Sequence, residues 1–347
     1  MKIFDFNRLN DFKWDNEVIS LIAQIHEHKG KQSLFLKQKP QVLDQLVEIA
    51  KIQSTESSNK IEGIVTTSTR IKQLVNDKTA PRNRDEEEIL GYRNALNIIH
   101  ENFEYIPLTP NYILQLHHEL YKTTSKTIGG KFKNVQNYIS AKYPDGREEI
   151  LFTPLEPLET LDAVRNLCDE FNKCVDNDSV EALLLIPTFI IDFVCIHPFS
   201  DGNGRMSRLL TTLLLYRLGY HVGKYISIEK LIEKTKDGYY DALSKADKGW
   251  HDNNNDPTPF IKYLLRTILT AYREFEERMS LVDTKQSSYE YVKDTINTIL
   301  GKFKKSELLD KCPSIAKSTL EAALKKLVED GFIKKVGVGK STYYYKI

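Results

Sequence analysis

What the 347-residue sequence lacks narrows the field first. It lacks a charge excess: 49 Lys+Arg against 48 Asp+Glu leave a formal net charge of +1. The molecule as a whole is therefore no polyanion binder, although a near-zero sum can hide an uneven distribution. It lacks a long hydrophobic run. The most apolar stretch, Ala182 to Ile196, is interrupted by Pro187 and Asp192 and is too short to span a bilayer, so no membrane contact is expected. Met1 to Trp14 has no uninterrupted apolar core, and no secretory signal fits it. Cysteine is scarce. Of the four, Cys168 and Cys174 stand six apart, on different faces of a helix, and with Cys195 and Cys312 they fit no zinc pattern. Scattered reduced thiols point to the cytoplasm. Internal repeats and low-complexity segments are also missing. What remains, 41% hydrophobic and 28% charged residues, is ordinary for a soluble globular protein. At about 150 residues per domain the length predicts two to three domains.

Helical spacing dominates. Val18, Ile19, Ile22 and Ile25 recur at three and four, as do Val42, Leu43, Leu46 and Ile49. Further helices are predicted near Glu86 to Asn102, Pro110 to Tyr121, Leu158 to Asn172, Val180 to Ile196, Arg205 to Leu218, Leu231 to Ala246 and Pro259 to Leu281. The main insert is Val135 to Thr153. There Tyr138-Ile139-Ser140 and Glu149-Ile150-Leu151-Phe152 flank a Pro144-Asp145-Gly146 turn and predict a β-hairpin. Apolar residues thin out between Asp283 and Ser288, and the pattern then changes. Tyr289 to Leu300 and Lys305 to Lys311 read as short helices. Ser318-Thr319-Leu320-Glu321 reads as a capping box opening a third helix that ends at Gly331. Phe332 to Val336 and Thr342 to Lys346 alternate about a Gly337-Val338-Gly339 turn. Three helices and a two-stranded wing predict a winged helix-turn-helix, with Ser318 to Asp330 in the recognition position.

The segment richest in chemistry runs His197-Pro198-Phe199-Ser200-Asp201-Gly202-Asn203-Gly204-Arg205-Met206-Ser207-Arg208. It joins two apolar helices, and its two glycines let the backbone turn tightly. The N–H groups of Gly202, Asn203 and Gly204 then stand at the N-terminus of a helix starting near Arg205, an arrangement that binds anions. Arg205 and Arg208, three apart, share a helix face and can clamp neighbouring phosphates. Asp201 offers a hard oxygen for Mg2+. His197, with an ordinary pKa of about 6.5, suits the removal of a proton from an attacking hydroxyl.

These twelve residues match every fixed position of the signature H-x-F-x-[D/E]-G-N-G-R-x-x-R, and the chain resembles the Fic-domain family. The resemblance covers about Pro110 to Leu281. It implies a mainly α-helical protein, with a Fic-type helical core and a β-hairpin flap, and transfer of AMP from ATP to a Tyr, Thr or Ser hydroxyl of a target protein. His197 would deprotonate the hydroxyl, Phe199 anchor the loop, Asp201 hold Mg2+, and Gly202, Asn203 and Gly204 bind the α/β-phosphates. Arg205 and Arg208 would bind the β- and γ-phosphates. Arg205 also separates this chain from the kinase-type Doc relatives, which carry Lys there. Gly130-Lys131-Phe132-Lys133 with Asn137-Tyr138-Ile139-Ser140 resembles the flap that aligns a target strand, with Lys133 in place of the usual Arg. Tyr239-Tyr240-Asp241-Ala242-Leu243 resembles the segment lining the adenine pocket; Tyr240 and Asp247 are the expected adenosine contacts.

Ser58-Asn59-Lys60-Ile61-Glu62-Gly63 matches the family's inhibitory motif, [S/T]-x-x-x-E-[G/N]. The resemblance implies that Ser58, Glu62 and Gly63 belong to an internal brake, with Glu62 pairing with Arg208 where the γ-phosphate would lie. It also admits AMP removal and self-modification. The expected organisation is residues 1–105 as a helical region carrying the brake, 106–282 as the Fic domain, and 283–347 as the winged helix.

Residues 285–347 hold 13 Lys, no Arg and 7 Asp+Glu, a net +6, which leaves the rest of the chain at −5. Such a tail can grip DNA phosphates, with Lys317, Lys325 and Lys326 as candidates. The missing Arg disfavours guanine readout. Protein docking and homodimerisation are the alternative uses of the same fold.

Overall fold

The computed structural model describes residues 2–347 except 39, 143–145, 283–287, 314, 338 and 340–341. Pro144 and Asp145 of the predicted hairpin turn, Val338 of the wing turn and most of the expected break at Asp283 to Ser288 lie outside the described residues.

The chain opens with α1 (Asn16–Gln38), α2 (Pro40–Ile61), α3 (Ser68–Val75), α4 (Arg84–Asn102) and α5 (Pro110–Tyr121). A two-stranded antiparallel hairpin follows, β1 (Ile139–Lys142) and β2 (Glu148–Phe152), with Ile139 opposite Phe152 and Ser140 opposite Ile150. Then come α6 (Pro157–Asp176), α7 (Ala182–Ile196), α8 (Asn203–Arg217), α9 (Ile228–Lys234), α10 (Lys236–Ala246) and α11 (Thr258–Val282). Among the described residues no helix is long and apolar enough to cross a membrane.

The apolar run that could not span a bilayer is α7, the central helix. Leu183 to Phe193 are all buried, as expected of a helix without a polar face. Helix α8 packs beside it, and α6 and α11 cover it. Helix α4 approaches α5 so closely that a Cβ at Gly91 would stand 2.0 Å from the Leu120 carbonyl oxygen. Only glycine permits this crossing. Its consequence is felt in the site, because α4 carries Glu88. Along α1 the buried stripe is Val18, Leu21 and Ile25, whereas Ile19 faces solvent. All four cysteines are free and buried.

Two local expectations differ from the structure. The predicted helix from Leu231 to Ala246 is two, α9 and α10, broken at Thr235, whose hydroxyl turns back onto Leu231 O at 3.0 Å. In the tail, α12 (Ser288–Asn297), α13 (Lys305–Lys311) and α14 (Lys317–Glu329) pack with β4 (Ile333–Val336) and β5 (Tyr343–Lys346). A short β3 (Lys302–Phe303) joins β5, so the sheet has order β3-β5-β4 and one strand more than the alternation pattern revealed. The capping box at Ser318 does not form. Helix α14 starts at Lys317 with Ala316 as its uncapped N-terminus, which puts Ser318 inside the first turn. The carboxylate that caps does so one helix earlier, where Glu307 accepts from the Lys304 backbone N–H at 3.2 Å. The tail has its own apolar core around Val292, Leu308, Leu320, Leu324, Leu327 and Ile333.

Candidate active site

The loop between α7 and α8 begins at His197, which closes α7 in a left-handed conformation, φ +50°. A non-glycine residue holds that conformation only when its surroundings fix it. Here four successive carbonyls are each gripped. Lys133 Nζ donates to Ile196 O at 3.1 Å, Asn137 Nδ2 to His197 O at 3.2 Å, and the Lys133 backbone N–H to Pro198 O at 2.8 Å. Phe199 O accepts from Asn137 Nδ2 at 2.9 Å and from Asn203 Nδ2 at 2.6 Å. Phe199 itself is buried, its ring stacked on that of His117 at 3.7 Å between centroids. His117 accepts from Gly130 N–H at Nδ1, and so donates to Asp201 O from Nε2 at 3.1 Å. The residues before the hairpin therefore hold the backbone of the loop.

The His197 ring is set by its own helix. Nδ1 lies 3.2 Å from Val194 O, and a carbonyl only accepts, so Nδ1 carries the proton and Nε2 keeps its lone pair. Burial, reinforced by the nearby Lys133 charge and only partly offset by the Val194 bond, pushes the imidazole down to about 4. The ring is thus neutral throughout the physiological range.

The other end of the loop is a helix N-terminus. Gly202 at φ +86° precedes α8, whose first turn presents the N–H groups of Asn203 and Gly204 with the positive end of the helix dipole. The helix begins two residues before the expected Arg205. The Gly202 N–H is directed to Asp201, which sits among Lys126 (Nζ to Oδ2, 2.5 Å) and Arg205 (3.7 Å). Burial opposes ionisation of Asp201, but these partners outweigh it and hold the carboxyl below its ordinary range. The Asn203 side chain is committed to Phe199 N and O.

Both arginines are buried. Arg205 Nη2 donates to Tyr121 Oη at 2.7 Å and Nη1 forms an ion pair with Glu88 Oε2 at 2.8 Å, while among the described residues neither Nε nor Nη1 has a hydrogen-bond partner. With Glu62, Ile64, Arg84, Asp85, Glu88 and Asp201 it lines a cavity of about 240 Å3. Arg208 is bound from the far end of α2, by Ser58 Oγ at 2.8 Å, Ser58 O at 2.9 Å and Glu62 Oε1 at 2.7 Å. The same Glu62 oxygen would lie 2.3 Å from a Cβ at Gly204. A carboxylate of the chain thus rests on the N-terminus of α8, in the place the dipole prepares for an anion. Gly63, at φ +80°, turns the chain away immediately afterwards. Helix α2 is held by α9 and α10. Ser54 Oγ bonds Glu229 at 2.6 Å, Ser57 Oγ and Lys60 reach Glu233 at 2.7 and 2.6 Å, and Lys236 bonds Ile61 O at 2.7 Å.

The structure thus brings His197, Asp201, Gly202, Asn203, Gly204, Arg205, Arg208, Ser58, Glu62 and Asn137 together. Tyr138 is exposed, and Ile139 and Ser140 run along β1. Tyr239 is the buried tyrosine of its pair, and Tyr240 stands partly exposed beside it with Lys236 Nζ 5.8 Å from its ring. Asp247 ends α10, where burial pushes its carboxyl up to about 6; among the described hydrogen bonds none joins it to the loop. The residue types missed by sequence reasoning are the supports: Glu88, His117, Tyr121 and Lys126. Each comes from another helix or loop, and no local spacing signals them.

Three buried histidines give a stability expectation. Burial pushes His100 to about 3 and His117 and His197 to about 4, below the ordinary 6.5. Unfolding therefore takes up protons once the pH drops below about 6.5, and stability falls from there towards the folded values. The depressed carboxyls, Glu86 near 2 through Arg70 and Glu233 near 2, lose their contributions only below about 4.5. Tm is thus expected to decline already between pH 6.5 and 5. A Tm constant across that interval would contradict the neutral buried state of these rings.

Residues 107–215, which hold the loop, match the sequence model of the Fic/DOC family. The chain resembles the protein adenylyltransferases Fic of Nematostella vectensis, 24% identical over 227 residues covering 63% of this chain and 47% of the relative, and of Aedes aegypti, 28% identical over 227 residues covering 62% and 40%. The chain spans less than half the length of these relatives. Among solved structures, a Fic family protein from Desulfovibrio desulfuricans G20 shares the fold over 97% of both chains with a TM-score of 0.63 at 19% identity. A Fic domain containing signaling protein from Bacteroides thetaiotaomicron VPI-5482 does so over 73% of this chain and 94% of that one, with a TM-score of 0.62 at 24% identity.

Proposed function

We propose that this chain transfers AMP from ATP to a hydroxyl group of a target protein, and that Glu62 restrains the reaction. The observation that carries the reading is the seat of Glu62: an anion of the chain itself lies on Gly204 and Arg208, next to a loop that starts with a neutral, oriented imidazole. The names of the curated relatives support the same reaction class.

In this reading His197 Nε2 takes the proton of the target hydroxyl as its oxygen attacks the α-phosphorus. The bond from the α-phosphorus to the bridging oxygen breaks, and pyrophosphate leaves. The N-terminus of α8, Arg205 and Arg208 offset the charge that builds on the phosphates, so catalysis rests on positioning and electrostatics. Arg205 Nε, buried and without a hydrogen-bond partner among the described residues, as is Nη1, is a donor available to such an oxygen. A Mg2+ ion would supply further neutralisation of phosphate charge. Asp201 fits it, being a half-exposed carboxylate beside the cavity, and one carboxylate with phosphate oxygens is an ordinary Mg2+ environment. Among the described residues no group of three or more potential ligands forms a metal site by itself. Tyr240 and Asp247 are assigned to the adenosine end, and Tyr138, Ile139 and Ser140 to backbone pairing with a target strand along β1.

The test uses the purified chain with ATP labelled at either the α- or the γ-phosphate. Transfer of the α-label to protein supports the reading. Transfer of the γ-label alone would replace it with phosphoryl transfer, and neither label would overturn it.

A second reading, DNA contact by the tail, is favoured by the exposed Lys317, Lys325 and Lys326 of α14 and by Lys334 and Lys335 of β4. Glu321, paired with Lys305, and Glu329, near Lys325, dilute that surface. The full chain is then expected to bind a fluorescent duplex at about 50 mM salt and to release it towards about 200 mM. No binding at the lower salt would exclude this reading and leave protein docking.

A further inference from the structure

Asp85 and Glu88 are the carboxylates of the phosphate cavity to which neither the family signature nor the inhibitory motif gives a role, and Glu88 is the buried one of the two. It is 3% exposed. Its Oε2 lies 2.8 Å from Arg205, and its Oε1 lies 3.0 Å from both Lys126 and Arg84. It comes from α4, outside residues 107–215, and it reaches the cavity because Gly91, one turn later, lets α4 lie against α5. Burial raises the cost of its charge, yet Arg205 and Lys126 hold the carboxyl below its ordinary range.

We propose that Glu88 is a positioning residue for Arg205: Tyr121 accepts a hydrogen bond from Nη2, Glu88 pairs with the charge at Nη1, and Nε is left for the leaving phosphate oxygens. The proposal rests on the AMP-transfer reading for what Arg205 does, and on geometry alone for what Glu88 does. Arginine has a long side chain with several rotatable bonds, and a buried guanidinium without a counter-charge would be strongly unfavourable. With Glu88 in place, Arg205 is neutralised and fixed before nucleotide arrives, so no reorganisation is needed when charge develops on the phosphates. Lys126 shares the same arrangement, bridging Glu88 to Asp201 at 3.0 and 2.5 Å. Two sides of the cavity, α4 and α8, are thereby tied through one carboxylate.

A positioning role makes a prediction that a merely structural role does not: the effect of losing Glu88 must vanish once Arg205 is gone. The test is a double-mutant cycle, Glu88→Ala with Arg205→Ala, in the Glu62→Gly chain, with thermal melting to verify folding. The readouts are α-label transfer and the affinity for a fluorescent ATP analogue. Glu88→Ala is expected to lower kcat/KM by about 10- to 100-fold, the usual cost of removing the partner that orients a functional group. It is expected to change nothing further in the Arg205→Ala background, for transfer and for analogue binding alike. Equal losses in both backgrounds, or no loss in a folded Glu88→Ala protein, would overturn the proposal. If Glu88→Ala fails to fold, Glu88→Gln, which keeps the volume and loses the charge, enters the same cycle. A Glu62→Gly parent that binds the analogue but transfers no label would sink the AMP-transfer reading, while the binding cycle would still decide the role of Glu88.

Discussion

His197→Ala is expected to abolish transfer of the α-label, with a loss of about 10²- to 10⁴-fold, the range for removing a positioned general base. The expectation follows from three features of the ring. Its Nδ1 is committed to Val194 O, its Nε2 is unprotonated, and burial keeps it neutral far below physiological pH. The backbone of residues 196–199 is held by Lys133, Asn137 and Asn203 rather than by the imidazole, so the loop is expected to keep its shape. Analogue binding should therefore persist while transfer disappears. Comparable labelling of the wild-type and His197→Ala chains would refute the assigned base; joint loss of binding and transfer would point to a collapsed loop instead.

Glu62→Gly is expected to act in the opposite direction and raise transfer by about 10- to 100-fold. A hydrogen bond between charged partners contributes about 1.5–3 kcal/mol, and a competing contact of that size suppresses nucleotide binding by a corresponding factor. The substitution falls just beyond the end of α2, in a turn, so glycine is tolerated there. Arg208 keeps both bonds to Ser58 and remains in place. It nevertheless loses its only ion pair among the described residues, and a lower Tm in the absence of nucleotide should accompany the gain in activity. Adding ATP should restore part of that Tm, because the nucleotide supplies the missing anion. Unchanged labelling, with analogue affinity equal to that of the wild-type chain, would refute the brake.

Much of this was legible before any coordinates. Helices such as α5 and α13 fall within the limits their apolar spacing predicts, because that spacing is read over a few residues. Local reading failed where competing local preferences were close in energy. Thr235 breaks one predicted helix into two, and Ala316 rather than a serine precedes α14. The third tail strand, β3, is two residues long and exists only because β5 lies beside it.

The site divides in the same way. The proposed base, the metal-ligand candidate, the glycine turn proposed to bind phosphate and both arginines lie within twelve consecutive residues, so their order and spacing are properties of the sequence alone. Glu88 stands in the run Asp85-Glu86-Glu87-Glu88, where acidic residues simply favour a helix N-terminus, and nothing in that run distinguishes it from its neighbours. The Gly91 crossing, where a Cβ would stand only 2.0 Å from the Leu120 carbonyl oxygen, carries it to Arg205, 117 positions along the chain. The sequence by itself therefore determined which chemical groups this protein owns and the local turns that present them. The tertiary structure decided which charged groups pair: Arg205 with Glu88, Asp201 with Lys126, Arg208 with Glu62. The physical reason is that charge pairing acts across a few ångströms of space, and only packing sets which distant residues come that near.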